Sequence, residues 1–276
     1  MKTAPVDPDM FPELTEGTWL TKPYAEVEDV ASRDGSILAI PVGSLEQHGR
    51  HLPTGTDTIL ATAATRAGVT RVDDDVPLLQ SPPIWSGYSP HHLPFGGTLT
   101  VEHDTFIDTV VDLVDSAVET GFDAVVLVNG HGGNKSLLST AVTVAGRSNP
   151  AVEVSTLLYL DLLGPYLDEV KQSDVPGTHG GELETALLLA VRPDLVDEDE
   201  ATQTPQHEPY ERAGTDLLDG GPVSVYRSFE EYTDTGSIGD PAAASAATGE
   251  RALELIGTEL ATVLESIHEH VRTETP

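Results

Sequence analysis

The stretch FDAVVLVNG (122–130) constrains the fold of this chain more than any other. It is a continuous apolar run rich in β-branched residues and ended by Asn-Gly, so it reads as a fully buried strand. A strand buried on both faces belongs in a parallel sheet with helices above and below it. Its flanks agree. VEHDTFIDTVVDLVDSAVETG (101–121) spaces its apolar residues for an amphipathic helix that stops at Gly121, and KSLLSTAVTVAG (135–146) begins another helix after the HGGN turn.

The same unit recurs along the chain. SILAIPVGS (36–44) is a buried-strand run, and Asp57 stands as N-cap of a helix written DTILATAATRAGV. VPLLQSPPIW (76–85) and VEVSTLLYL (152–160) are further strand candidates, and GGELETALLLAV (180–191) and residues 247–271 read as helices. Residues 1–32 are Pro-rich, with one short helix and an opening strand expected there, and residues 192–238 read mostly as loop. No internal repeat and no domain-scale linker interrupts the order. The expectation is therefore a single α/β domain over residues 1–276, a three-layer α/β/α arrangement around a mostly parallel sheet. Ligand sites in such sheets lie beyond the carboxyl ends of the strands.

Composition narrows the chemistry. With no cysteine, disulfides, thiolate metal sites and cysteine nucleophiles are excluded. Asp and Glu number 46 against 14 Lys and Arg, a formal charge of -32, which repels nucleic acid and anionic membranes. The acids are dispersed among apolar segments, which suits a folded protein whose self-repulsion is screened in a high-salt cytoplasm. No segment approaches the roughly 18 apolar residues of a spanning helix. The first residues, MKTAPVDPDMFPE, carry no apolar signal core, so a cytoplasmic location is expected.

Six of the ten histidines, His48, His51, His91, His92, His131 and His179, lie in Gly- or Pro-rich loops after apolar segments. The others, His103, His207, His268 and His270, read as exposed. Without thiolates, a transition-metal site must use imidazole and carboxylate, a set that suits Zn, Mn or Fe. Glu46 and His48 in SLEQHGRHLPTGTD are two apart and point to one side of an extended chain. Asp57 faces the same crevice and is the natural carboxylate to bridge two cations. His131 comes from another strand end, and Glu182 and Glu184 begin a later helix. Each feature also has a plainer reading. Glu46 and His48 suit a loop ion pair and a cap, Asp57 a plain N-cap, VNGHGGN an anion-binding loop, and the two later glutamates the helix dipole.

GSLEQHGRHLPTGTD, VNGHGGN and HGGELET, in this order, resemble the creatininase family of metal-dependent amidohydrolases across about residues 36–190. The resemblance implies a creatininase-like α/β/α fold, two divalent metal ions, and an assembly of identical subunits, often a hexamer. It implies Glu46, His48, Asp57 and His131 as ligands, with Asp57 bridging. The remaining carboxylate ligand is expected either two residues after the NGH histidine or in the later ET motif. The first position is Gly133 here, which leaves Glu184 first and Glu182 second. His179 resembles the catalytic histidine, moving a proton to the leaving nitrogen after activated water attacks an amide or formamide carbonyl. Gly132 and Gly133 permit close backbone approach to a small-molecule amide substrate, and Asn134 reads as a helix cap first and as a donor to a carbonyl second. Tyr88, His91 and His92 are expected substrate contacts.

For creatinine, the family places tryptophan just before the catalytic histidine. The segment here, DVPGTHGG, holds no aromatic residue, which argues against that substrate. The loop SGYSPHHLPFGGTLT resembles two other branches. One is a formamidopyrimidine-nucleotide deformylase, which the salt-adapted charge favours and whose phosphate would need Arg50, Lys135 or Arg227. The other is the mycofactocin-system peptidase. A non-catalytic small-molecule or anion binder and a dinuclear phosphoesterase are the alternatives from other classes.

Overall fold

The computed structural model describes residues 18–175, 177, 179–207 and 225–274. Four strands, β1 (Ile37–Val42), β2 (Leu78–Gln80), β3 (Ala124–Asn129) and β4 (Glu153–Leu158), form one sheet in the order β2-β1-β3-β4. Every pairing is parallel. Seven α-helices accompany it among the described residues: α1 (Tyr24–Ala31), α2 (Thr56–Val69), α3 (His103–Thr120), α4 (Lys135–Ser148), the single turn α5 (Leu167–Val170), α6 (Glu182–Val191) and α7 (Ala246–Glu274). This is the expected α/β/α arrangement.

Alternation along the strands divides the interior into two apolar clusters. Ile37, Ala124, Val126 and Val128 face α2, α6 and α7, and meet Leu60, Leu187 and Leu260 there. Leu38, Ile40, Val125 and Leu127 face α1, α3 and α4, and meet Val27, Val110 and Leu138. All six residues of β1 and of β3 are buried, which is why both read as unbroken apolar runs. The long α7 covers its side with Ala252, Ile256, Leu260 and Leu264, four fully buried positions one turn apart.

Two sequence expectations change at the edges. The run 76–85 yields a strand of only three residues, because Pro82 and Pro83 follow. The opening strand expected within 1–32 is not found over residues 18–32, where Thr18 makes an isolated parallel bridge to Gln80; residues 1–17 lie outside the described ones. Pro41 sits inside central strand β1, a position that normally needs its N–H. Its carbonyl accepts from Ile84, so this edge of the residue faces the chain beyond the end of β2, where no ladder partner demands a donor.

The strand order creates the site. From β1 the chain crosses through α2 to β2; from β3 it crosses through α4 to β4. The crossovers run in opposite lateral directions and place their helices on opposite faces, as two crossovers of one hand must. A crevice therefore opens between the carboxyl ends of β1 and β3. Two glycines let α2 close against it. A Cβ on Gly43 would lie 2.5 Å from Thr58 Cα, and one on Gly130 would lie 2.6 Å from the Asp57 carbonyl oxygen and 2.9 Å from Ala61 Cβ. Among the described residues no helix is long and apolar enough to cross a membrane.

Gly130→Ala is expected to push the first turn of α2 away from β3 and to destabilise the fold by about 1–3 kcal/mol, the usual scale of overpacking. Denaturant unfolding checks the stability change, and a matched metal titration is expected to show weaker binding, because Asp57 moves with that turn.

Candidate metal centre

The residues after β1, β3 and the start of α6 converge in the crevice. Asp57 is not the N-cap of α2. Gly55 takes that position, and Asp57 lies in the first turn with its carboxylate turned toward the strand ends. His48 Nε2 is 3.0 Å from Asp57 Oδ1 and 3.8 Å from Glu184 Oε1. His131 Nδ1 is 3.1 Å from Glu46 Oε1 and 3.3 Å from Asp57 Oδ2. Two sets of three buried donors result, Glu46–Asp57–His131 and His48–Asp57–Glu184, and Asp57 belongs to both. A third set, Glu46–His48–His179, overlaps them.

The donor atoms fit cations. Both carboxylate oxygens of Glu46, Asp57 Oδ2 and His48 Nε2 are buried and have no hydrogen-bond partner among the described residues. Orphaned buried polar atoms are costly, and four at one point need a common partner. The other ring nitrogens are spoken for. His48 Nδ1–H donates to the Glu46 carbonyl at 3.1 Å. His131 Nε2–H faces the Tyr88 carbonyl at 3.3 Å and Ser89 Oγ at 3.1 Å. Each partner sets the tautomer and leaves the inward nitrogen with a lone pair, the usual arrangement behind a metal-binding imidazole.

Charge in this dry pocket is finely divided. Burial pushes the Glu46 carboxyl up, and the neighbouring Asp57 charge adds to that, while His131 and His48 offset part of it. Burial also acts on Asp57, but the imidazoles of His48 and His131 outweigh it and hold Asp57 well below the usual carboxylate range. His131 meets the same burial penalty and is still raised to about 10 by Glu46 and Asp57. His48 is raised well above its ordinary value despite burial, by Asp57 and Glu184. Without cations these imidazoles hold protons at pH 7.

The two later glutamates, two residues apart, lie about 200° apart around α6. Glu184 reaches the centre, and its Oε2 accepts from the Gly180 N–H at 2.6 Å. Glu182 turns away and accepts from the N–H groups of Gln172 at 2.5 Å and Ser173 at 2.9 Å. At position 133 a Cβ would lie 2.3 Å from His131 Nε2 and 2.9 Å from the Tyr88 carbonyl oxygen, so glycine is required for the packing of His131 itself.

His179 is buried beside the centre. Its Nε2–H donates to the Gln47 carbonyl at 2.6 Å, which leaves Nδ1 free, 3.6 Å from Glu46 Oε1. Burial, reinforced by the nearby His48 charge, holds this imidazole well below its ordinary value, so it is neutral at pH 7. His92 lies under Glu46: its Nδ1 accepts from Gln47 Nε2 at 2.7 Å and its Nε2 is 3.3 Å from Glu46 Oε1. His91 stacks on His131 with ring centroids 6.0 Å apart. Burial holds His91 down at about 4.

A cavity of about 230 Å³ opens onto these groups. Asp57, His131, Glu184 and His179 line one side, with His91, His92, Gly132 and Gly133 beside them. Tyr88 is not among its lining residues; the ring packs edge-on to His103 at 6.0 Å. Tyr226, Arg227, Phe229 and Tyr232 also line the cavity, from a segment that reads as loop; of these the sequence offers only Arg227 as a ligand contact. The Phe229 ring is 4.3 Å from His92 and 4.9 Å from His179. Gln47 was missed as well. Its amide joins His92 to the Gly236 carbonyl at 2.9 Å, tying that loop to the centre.

Other expectations are corrected by contacts. Asn134 makes no cap hydrogen bond; its Nδ2 donates to the Gly43 carbonyl at 3.0 Å and its Oδ1 accepts from the Tyr88 N–H at 3.0 Å. It thus laces three strand ends together. His268 is buried, and its Nδ1–H donates to the Gly35 carbonyl at 2.8 Å. His51 is buried too, with Nε2 3.1 Å from Thr185 Oγ1, one residue beyond Glu184.

A fold and site of this kind define a metal-dependent hydrolase class. The family model described as creatinine amidohydrolase matches residues 22–264, and the chain belongs to the creatininase family of amidohydrolases. It is 32% identical over 178 residues to the 3-dehydro-scyllo-inosose hydrolase of Thermotoga maritima, 61% of this chain and 54% of the relative, so the match spans about half of that protein. It is 33% identical over 223 residues to the mycofactocin precursor peptide peptidase of Mycolicibacterium smegmatis, 78% of both chains. Two solved structures, described as creatininase Mn and as a mutant creatininase of Zn-Zn type, superpose with TM-scores of 0.75 and 0.74, each at 26% identity over 91% of this chain and 98% of theirs.

Cation binding at this centre must displace the protons on His48 and His131. Titrating the metal-free protein with Zn²⁺ at pH 7 is expected to release about two protons per chain and to weaken as pH falls, because protons and cations compete for the same nitrogens. Calorimetry in buffers of different ionisation enthalpy reads both effects.

Proposed function

We propose that the protein is a dinuclear-metal amidohydrolase that cleaves the C–N bond of a small amide or formamide. The observation that carries this reading is the pair of three-donor sets sharing Asp57, with four of their atoms buried and unpartnered. Glu46, Asp57 and His131 would hold one cation, and His48, Asp57 and Glu184 the other, with Zn the first choice and Mn or Fe the alternatives. Two bound cations supply polarisation of a carbonyl and a water reactive at neutral pH.

The protein's own groups do the rest. His179 receives a proton at Nδ1, the nitrogen left free by the Gln47 carbonyl, and returns it to the leaving nitrogen. Phe229 and His92 shield that imidazole from bulk water. The backbone at Gly132 and Gly133 lines the cavity with no side chain between it and a substrate. At about 230 Å³ the cavity is at the small end for ligand sites, which favours a small molecule over an extended peptide. A second reading, cleavage at the end of a short modified peptide, is favoured by the peptidase relative. The absence of an aromatic residue just before His179 keeps creatinine below other amides. The acidic composition fits work at high salt in a cytoplasm, and self-association of identical subunits fits the family.

Metal-loaded protein is expected to hydrolyse members of a panel of formamides and small amides and to leave phosphate esters intact. His179→Gln is expected to lower kcat by about 10²–10⁴, the range for one general acid–base group, while elemental analysis finds the metal content unchanged. Turnover of the panel at the wild-type rate by His179→Gln would remove the proton-transfer assignment.

A further inference from the structure

We infer that Arg227 selects substrates bearing an anionic oxygen group, a carboxylate or phosphate, beside the bond that is cleaved. The inference rests on the amidohydrolase reading and narrows its substrate class. Arg227 is the one lysine or arginine among the described residues that line the cavity, which Asp57, His131 and Glu184 also line. The chain holds only 14 basic residues against 46 acidic ones, so a guanidinium in this wall runs against its composition. The other two cations that the sequence offers are elsewhere: Arg50 is exposed, and Lys135 pairs with Asp161 at 2.8 Å.

The guanidinium is only half engaged. Glu231 takes Nη1 at 2.6 Å, while Nε is buried without a hydrogen-bond partner among the described residues. The Nε–Nη2 edge is the one that grips a carboxylate with two parallel bonds, and Arg192 in this same chain does so with Asp194, at 2.8 and 2.7 Å. In Arg227 that edge has no such carboxylate among the described residues. A buried donor left unmatched costs more than a hydrogen bond gains, so a ligand that supplies two oxygens is favoured over one that does not. Glu231 anchors the side chain from outside, as an i,i+4 pair. It also competes for the guanidinium, so it tunes the preference.

Three small formamides test this: N-formylglycine, 2-formamidoethyl phosphate and the neutral N-formylglycinamide. The metal-loaded wild type is expected to prefer at least one anion over the neutral compound by about tenfold or more in kcat/KM, the scale of one charge-assisted bidentate contact. Arg227→Gln is expected to erase that preference through KM, with kcat retained, Arg227→Lys to restore part of it, and Glu231→Gln to strengthen it. Which anion is preferred tells a carboxylate substrate from a phosphorylated one. Calorimetric binding of the same compounds to both proteins gives a readout free of turnover. Anion binding that depends on Arg227 without any hydrolysis would sustain this inference and sink the amidohydrolase reading. Equal loss on all three compounds in Arg227→Gln, or no charge preference in either readout, overturns it.

Discussion

The rest of the site depends on the position of Asp57, a buried carboxylate shared by two imidazoles from two different strand ends. One oxygen faces His48 and the other faces His131. A negative charge at that depth is costly in isolation and tolerable only with positive partners on both sides. The protein meets this need by closing α2 tightly onto β1 and β3, and glycine at 43 and 130 is what permits the approach. The sheet order supplies the crevice, the glycines set its width, and the shared carboxylate sets how two cations would sit in it.

Around that centre stands a shell of hydrogen bonds whose direction matters more than their number. Backbone carbonyls of Glu46, Tyr88 and Gln47 each accept from one nitrogen of His48, His131 and His179. A carbonyl can only accept, so each fixes which nitrogen keeps its lone pair. Once the protons on His48 and His131 are displaced, three histidines thereby present three lone pairs to one volume. Gln47 and Asn134 then lock the loops that carry these histidines to each other. Preorganisation of this kind removes the entropy cost of assembling the donors when a cation arrives. The Tyr159 hydroxyl is a further buried and unpartnered group. Burial, aided by the charge of Glu184, keeps this phenol well above its ordinary value and so protonated.

Much of the fold was legible because parallel strands buried on both faces leave long apolar runs, as in 37–42 and 124–129. The edge strand was overestimated because an apolar run with prolines cannot be told from a strand by hydrophobicity alone. The local motifs named Glu46, His48, Asp57 and His131, since short spacing and flanking glycines bring their chemistry together in sequence. Glu184 against Glu182 was decided by rotation about α6, which a two-residue spacing leaves open. His268 looked exposed because its contact, the Gly35 carbonyl, lies 233 residues away.

The sequence by itself determined the chemical inventory: no thiolate, imidazoles and carboxylates gathered at strand ends, and a parallel α/β frame to carry them. It did so because strand and helix periodicity and ligand chemistry are properties of neighbouring residues. Only the tertiary structure decided that Glu184 rather than Glu182 reaches the centre, that His179 turns Nδ1 inward, and that Phe229 and Arg227 line the cavity. Those outcomes depend on contacts between segments far apart in the chain, whose relative positions follow from packing the whole sheet and its helices rather than from any local pattern.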